Sequence, residues 1–599
     1  MQVTTGIPGG DSILSANTEE IAGFETEVGR FRAGEWDPNE YIGFRTRQGI
    51  YGQRQADEQM VRVKLPLGVV TAEQFEALGQ VAEKYTPLRR GHLTTRENVQ
   101  FHFAKLEDTP ALMRILGEAG LTTREACGNT VRNVVGAPLA GVCPREAFDM
   151  TPYAVVYARH FLRNPLTQLL PRKFKSSFSC CDDDDGVTGI QDLGFIPRVR
   201  VIDGVARRGF RITVGGGTSI YQRTALVLYE FTPVEDYLRV AEAILRVFNA
   251  CDELRKNRMR ARLKFHIHAV GIDVFRDEVE AELAKDWPTG HVPADLLEPH
   301  QPATDGPAPD AFVPSPFEPN GHGHRYGIWL DSNVFRQRQP GYAAAVIRVD
   351  GGNLSPEQFY ALADISREFA RGELRSAVQQ NLVLRWIEES RLPALYEAID
   401  ALGLSGSANT LSDVCSCPGT DSCKLGITSS NQLRGVLSEA LREIEEGDPL
   451  VRQIHVKISG CPHGCGQHHI ADIGLEGAST KRGSVTAPCY HLYLGGSYTG
   501  GDIGSGADET SIASRPGIRI PARSAPDAIK RLVSTYQTNR LEGERFKEFV
   551  VRSGNEYFKT VLEDLLEPPA FGPDTVPYFQ DWGREGLFKV ERGEGECAV

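Results

Sequence analysis

Five of the chain's 12 cysteines fall between Cys415 and Cys465, and four of these are spaced for shared ligation. Cys417-Pro418-Gly419-Thr420-Asp421-Ser422-Cys423 is a C-x5-C run, and Cys461-Pro462-His463-Gly464-Cys465 is C-x3-C. Thiolates are soft donors that select an iron–sulfur cluster or zinc, and four sulfurs arriving on loops from several directions can enclose one cubane. Structural zinc favours closer knuckles and often recruits histidine, and His463, His468 and His469 are close by. Spacing therefore leaves a cluster, a zinc site and plain buried thiols all open. Cys415 is an alternative to Cys417, which is preferred for its spacing.

A second set of residues is cationic. It comprises Arg62, Arg96 in Leu93-Thr94-Thr95-Arg96, Arg132 in Cys127-Gly128-Asn129-Thr130-Val131-Arg132-Asn133, and Lys173 and Lys175 in Leu170-Pro171-Arg172-Lys173-Phe174-Lys175. Taken singly, each is more readily a solvated surface charge. Lys173 and Lys175, however, alternate along an extended run, so both face one side and Phe174 the other. Like charges on one face repel unless something anionic sits between them.

The elements that must position these groups are legible as repeated patterns. Thr71 to Leu78 is echoed by Ser355 to Leu362; each opens on a Ser/Thr N-cap signal and continues at helical spacing through Phe75, Leu78 and Val81 or Phe359, Leu362 and Ile365. Strand-like runs precede the two helices, Met60 to Leu65 and Ala344 to Val349, and alternating runs follow them, Asn98 to Phe103 and Asn381 to Trp386. The step is 284 residues at the helix start (71 to 355) and 283 at the second run (98 to 381), as a duplication predicts. A β-α-β unit used twice is expected to pair into one joint sheet with helices on one side. Near the cysteines, Leu433, Val436, Leu437, Leu441 and Ile444 stripe a helix after the first pair, and Ile454, Val456 and Ile458 alternate in a strand before the second. A Pro- and Gly-rich stretch at 286–325 reads as the linker between unequal halves.

The C-x5-C run together with Ser459-Gly460-Cys461-Pro462-His463-Gly464-Cys465-Gly466 resembles the signature of the sirohaem-dependent sulfite and nitrite reductases, over about Gly49 to Glu544. The resemblance implies a mixed α+β and α/β fold: paired ferredoxin-like half-domains at 56–125 and 326–405, sirohaem- and cluster-binding α/β domains at 126–285 and 406–544, an N-terminal extension at 1–55 and a tail at 545–599. It implies a four-iron four-sulfur cluster on Cys417, Cys423, Cys461 and Cys465, with Cys465 also bridging to the sirohaem iron. Arg62, Arg132, Lys173 and Lys175 are then expected to bind the oxyanion and relay protons, while Arg96 and Asn133 hold the macrocycle. Sirohaem carries eight carboxylates, which the planar fork of arginine suits. The runs containing Gly215, Gly216 and Gly217 and Gly495 and Gly496 are expected to cradle those carboxylates. The matching positions for a covalent Tyr–Cys pair found in some relatives are Tyr51 and Cys127.

The reaction so implied is six-electron reduction of sulfite to sulfide or of nitrite to ammonia. Lys175 favours sulfite, because relatives that reduce nitrite tend to carry Asn there and a second cation suits a dianion. With no evident flavin or nicotinamide site, electrons are expected from a partner, a ferredoxin or a flavoprotein. A net charge of −13 argues against a nucleic-acid protein. No apolar run reaches membrane-spanning length and no basic-then-apolar leader opens the chain, so a cytoplasmic address is expected. The rival from another class is a zinc-stabilised, non-catalytic binding protein. Cys180 and Cys181, beside Asp182 to Asp185, depart from the family's usual run.

Overall fold

The computed structural model describes residues 13–298, 323–445, 447–498, 510–593 and 595–596 of the 599-residue chain. Its helices begin where the sequence can satisfy their free amides. Thr71 Oγ1 accepts from Gln74 N at 3.3 Å while Gln74 Oε1 accepts from Thr71 N at 3.1 Å, which starts the helix Ala72–Tyr85. Ser355 and Gln358 form the same box, at 3.2 and 3.1 Å, for Pro356–Phe369. A capping box satisfies two otherwise orphaned donors at once, so the duplicated sequence gives duplicated helix starts.

The two β-α-β units do not merge into one joint sheet. They build two five-stranded sheets, each completed by a strand from the other half. Asn353–Leu354 pairs with Gly91–Leu93 in the first sheet, and Val69–Thr71 pairs with Glu373–Ser376 in the second. The reason is positional: each exchanged strand lies immediately before its helix, so docking the two helices carries each strand to the partner's edge. That docking is close, with the Phe75 and Phe359 rings 4.7 Å apart. Gly79 permits it, because a Cβ there would stand 2.9 Å from Phe359 Cβ. Both units share one apolar core, and each large side chain fully buried there contributes about 1.5–3 kcal/mol.

Two further sheets carry the second duplication. Leu193–Ile202 and Val205–Val214 recur as Ile473–Arg482 and Val485–Leu494, a constant step of 280 residues (193 to 473, 205 to 485). In each copy a short strand runs parallel to a second and that to the long hairpin: Val135–Gly136, Ser176–Phe178 and Leu193–Ile202, then Cys415–Ser416, Val456–Ser459 and Ile473–Arg482. Loops leaving the parallel strands therefore emerge at one end of each sheet.

The centre of the expected linker, 299–322, lies outside the described residues. Its start is packed, since Tyr153 donates to Leu296 O at 2.8 Å, and the helix His324–Asn333 begins before its expected end. The strand Ile50–Gly52, within the segment read as an N-terminal extension, is an edge of the first sheet. Among the described residues no helix is long and apolar enough to cross a membrane.

Candidate functional site

Arg62 and Arg132 converge on one carbonyl. Arg62 Nη1 donates to Ala126 O at 3.2 Å and to Cys127 Sγ at 3.0 Å, and Arg132 Nη1 reaches the same Ala126 O at 3.1 Å. Arg132 Nε also donates to Gly128 O at 2.8 Å. Arg96 lies alongside, held by Gln191 Oε1 at 2.8 Å and Asn133 O at 2.6 Å, while its buried Nε has no protein partner. Burial, then the charge of Arg132, pulls the Arg96 guanidinium down to about 9. Asn133 uses its amide nitrogen on Leu65 O and Arg96 O, leaving its buried Oδ1 likewise without one.

Lys173 and Lys175 flank a buried Phe174, as their alternation predicts. Burial, followed by Arg96, Arg262 and Lys173, pushes the Lys175 ammonium well below the usual lysine range, with Cys465 acting in the opposite sense. Two acids enter this group: Glu97 lies buried beside Arg96, and Asp192 accepts from Lys175 N at 2.8 Å and is held by Arg262 at 2.9 and 2.6 Å. So many desolvated cations on so few acids is a costly arrangement for the protein alone and one that a polyanion relieves.

Cys417, Cys423, Cys461 and Cys465 come together at the loop end of the second repeated sheet. Burial raises Cys417, Cys423 and Cys461 (Cys423 to about 12), and each also feels Cys465. Cys461 feels all three others, so the set shares one electrostatic neighbourhood. Yet no three of these sulfurs lie within 4.8 Å of one another among the described residues. Tetrahedral zinc at about 2.3 Å from each sulfur needs them about 3.8 Å apart. The wider set suits a cluster and not a single ion. Cys415 points elsewhere, donating to Gln379 O at 3.1 Å.

The cationic and thiol groups, drawn from opposite halves, meet through the Thr95 loop. Thr95 Oγ1 donates to Cys465 O at 2.7 Å, and Gln467 Nε2 donates to Thr95 O at 3.0 Å. His463, between the two cysteines, is drawn down to about 4 by burial, with Lys173, Arg592 and Arg172 adding to it.

The glycine runs serve the fold first. A Cβ on Gly216 would stand 2.6 Å from Gln191 O, and one on Gly496 2.7 Å from Ala471 O, so close backbone approach explains both; Gly215 and Gly495 turn the chain just before them. Gly217 differs in facing Lys264 and Arg262. Those two cations were not singled out from sequence, although Arg260-Ala261-Arg262-Leu263-Lys264 alternates in the same way as Lys173 and Lys175. Lys264, lowered to about 7 by burial and Arg262, donates to Thr218 O and Tyr221 O at 2.6 Å and so fixes the loop after Gly217.

Tyr51 sits in the edge strand opposite Met60, two residues from Arg62, and the Cys127 thiol is the one Arg62 touches. The tail returns to cover the thiol side. Asp581 accepts from Ser429 N at 2.7 Å, and buried Glu596 binds Arg45, Gly52 N and Lys424 at 3.0, 2.7 and 2.8 Å.

Comparison with known proteins agrees with this geometry. The family model described as nitrite and sulphite reductase 4Fe-4S domain matches residues 127–286 and 407–569, and that of the nitrite/sulfite reductase ferredoxin-like half domain matches 51–119 and 335–402. A protein named sulfite reductase [ferredoxin] from Mycobacterium tuberculosis is 30% identical over 86% of this chain and 85% of its own length. A protein from Zea mays named ferredoxin–nitrite reductase, chloroplastic, is 32% identical over 73% of this chain and 72% of its own. A solved structure of Mycobacterium tuberculosis NirA protein superposes with a TM-score of 0.72 at 26% identity, covering 91% of this chain and 98% of that one. A four-iron four-sulfur cluster and sirohaem are the cofactors these domains carry, and the crowded cations, the buried Arg96 Nε and Asn133 Oδ1 and the widely set thiols fit them. With both domain types present twice and the two halves meeting at Cys465, the chain belongs to the nitrite and sulfite reductase family.

Proposed function

We propose that this protein reduces sulfite to sulfide by six electrons, with a ferredoxin as donor. The observation that carries the substrate choice is Lys175, a second lysine set among Arg96, Arg262 and Lys173 and within electrostatic reach of Cys465. A doubly charged anion gains more from that added cation than nitrite does. The ferredoxin donor rests on relatives whose names include it.

In this reading Cys417, Cys423, Cys461 and Cys465 would hold the cluster, and Cys465 would serve the sirohaem as well. Arg96, Asn133, Arg262 and the backbone around Gly217 hold the macrocycle. When bound, the two cofactors would supply the electrons of the reduction one at a time. Arg62 and Arg132, fixed by their shared carbonyl, set two guanidinium charges beside the substrate oxygens and stabilise charge there. Lys173 and Lys175 give protons to the departing oxygens, which leave as water. Arginine is unsuited to that task because it stays charged at working pH. A depressed Lys175 releases its proton more readily than an ordinary lysine.

The test is steady-state kinetics of the purified holoenzyme with reduced ferredoxin and either anion. A higher kcat/KM for sulfite is expected; a higher value for nitrite overturns the substrate assignment while leaving the family unchanged. Turnover with a reduced flavoprotein but not with ferredoxin overturns the donor.

A further inference from the structure

The 280-residue step that relates the long hairpins also relates the cluster loops to loops in the first half. Ala137 N donates to Phe178 O at 2.9 Å where Cys417 N donates to Ile458 O at 3.2 Å. Gly186 N donates to Ser179 Oγ at 3.0 Å where Gly466 N donates to Ser459 Oγ at 3.0 Å. Asp184 N reaches Cys181 O at 3.4 Å where Gly464 N reaches Cys461 O at 3.5 Å. The same step therefore sets Cys143 against Cys423, Cys181 against Cys461, Asp185 against Cys465 and Ala137 against Cys417.

Two of the four thiol positions have thus kept cysteine, and a third now bears a carboxylate. The fourth has lost its donor, but Cys180, in place of Gly460, supplies a thiol from the adjacent position. The result is a compact set. All three thiols are buried, Cys143 Sγ and Cys180 Sγ each lie 3.9 Å from Cys181 Sγ, and the three sulfurs are within 4.8 Å of one another. The Asp185 carboxylate oxygens are 3.8 and 3.7 Å from Cys180 Sγ.

These distances decide the kind of occupant. Sulfurs around one tetrahedral zinc stand about 3.8 Å apart, which two of the three pairs here already meet. A cubane needs a broader opening, which the second-half cysteines have and these lack. A soft donor set with one carboxylate, in a family otherwise built on iron, points to a single borderline-soft divalent ion. We infer that Cys143, Cys180 and Cys181 form a structural zinc site at the position that mirrors the iron–sulfur cluster, with the Asp185 carboxylate beside Cys180 swinging in as fourth ligand when the ion binds. Binding exchanges thiol protons for the metal and involves no redox change. It ties the loop after Gly136 to the loop after Phe178, as the cluster ties their counterparts.

Metal analysis of the purified full-length holoenzyme after a chelator wash tests this. About one zinc per chain is expected beside the iron, with a zinc-edge X-ray absorption spectrum dominated by sulfur at about 2.3 Å. Cys143→Ser and Cys181→Ser are expected to lose that zinc while keeping the iron content and visible absorption of the parent. Asp185→Asn, a milder change, is expected to release zinc to chelator faster. The inference is overturned by any of three results: no zinc in the parent, zinc retained equally by the cysteine variants, or iron or a Cys143–Cys181 disulfide at these residues. The X-ray spectrum needs no variant, so a misfolded substitution leaves the test intact.

Discussion

Thr95 donates its hydroxyl to the main-chain carbonyl of Cys465 at 2.7 Å. Thr95 directly precedes Arg96 of the cationic group, and Cys465 ends the thiol motif. This hydrogen bond, with that of Gln467 to Thr95 O, couples the cationic group to the group proposed to carry electrons. Thr95→Val keeps shape and removes the donor. It is expected to cost about 1 kcal/mol of stability and to shift the visible spectrum of the holoenzyme, because the Cys465 loop is then free to move. An unchanged spectrum with an unchanged melting temperature would show that the bond couples nothing.

Lys175→Asn leaves the backbone bond from residue 175 to Asp192 available and removes one cation. Loss of a positioned proton donor typically costs roughly a hundredfold or more. The kcat/KM for sulfite is expected to fall by that order and that for nitrite by much less. Equal losses for both anions would mean that Lys175 does not discriminate between them.

The two neighbouring cysteines are expected to separate cleanly. Cys417→Ser should lose the cluster, seen as lost iron and bleached absorption. Cys415→Ser should retain both, since that thiol is spent on Gln379 O and serine can make the same bond. The reverse pattern would reassign the fourth ligand.

The tail supplies a pH prediction. Burial pushes Asp581 up to about 6 from 3.8. Because its pKa is raised by docking, its contribution is fully present below the unfolded value and is lost as pH rises through about 6. Asp581→Asn is therefore expected to be nearly neutral at acidic pH but to stabilise the docked tail by about 2 kcal/mol on the alkaline side, an acceptor being lost against the relief of a buried charge. Limited proteolysis of the tail at both pH values reads the difference. Glu596 acts with the opposite sign: Arg45 and Lys424 hold its carboxyl below the usual range against burial, so its contribution is lost as pH falls.

Tyr51 lies on the strand paired with the one that carries Arg62, and Cys127 accepts from Arg62. If they are joined, the intact mass of the protein is two hydrogens lighter than its sequence, and Tyr51→Phe restores it. A full-mass parent would show both side chains to be unmodified.

Much of this was legible along the chain because it depends on local pattern. The capping boxes at Thr71 and Ser355, the alternation around Phe174 and the C-x5-C and C-x3-C spacings are short-range features whose physical consequences do not need the rest of the protein. They were enough to separate the duplicated halves, and the cysteine spacings carried the family resemblance that implies both cofactors. What the chain could not disclose depends on contacts across several hundred residues. The strand exchange follows from two helices docking at Phe75 and Phe359, and the choice between Cys415 and Cys417 follows from where Gln379 lies. Nor does either half hold the site alone. At the 280-residue step Arg132, Lys173 and Lys175 are matched by Ser412, Gln453 and His455, while Cys417 and Cys465 are matched by Ala137 and Asp185. One copy carries the cations, and the other carries the full set of four thiols. Only the tertiary structure brings them together at Thr95 and Cys465, because opposed chemistry on separate repeats becomes a site only when the repeats pack against each other.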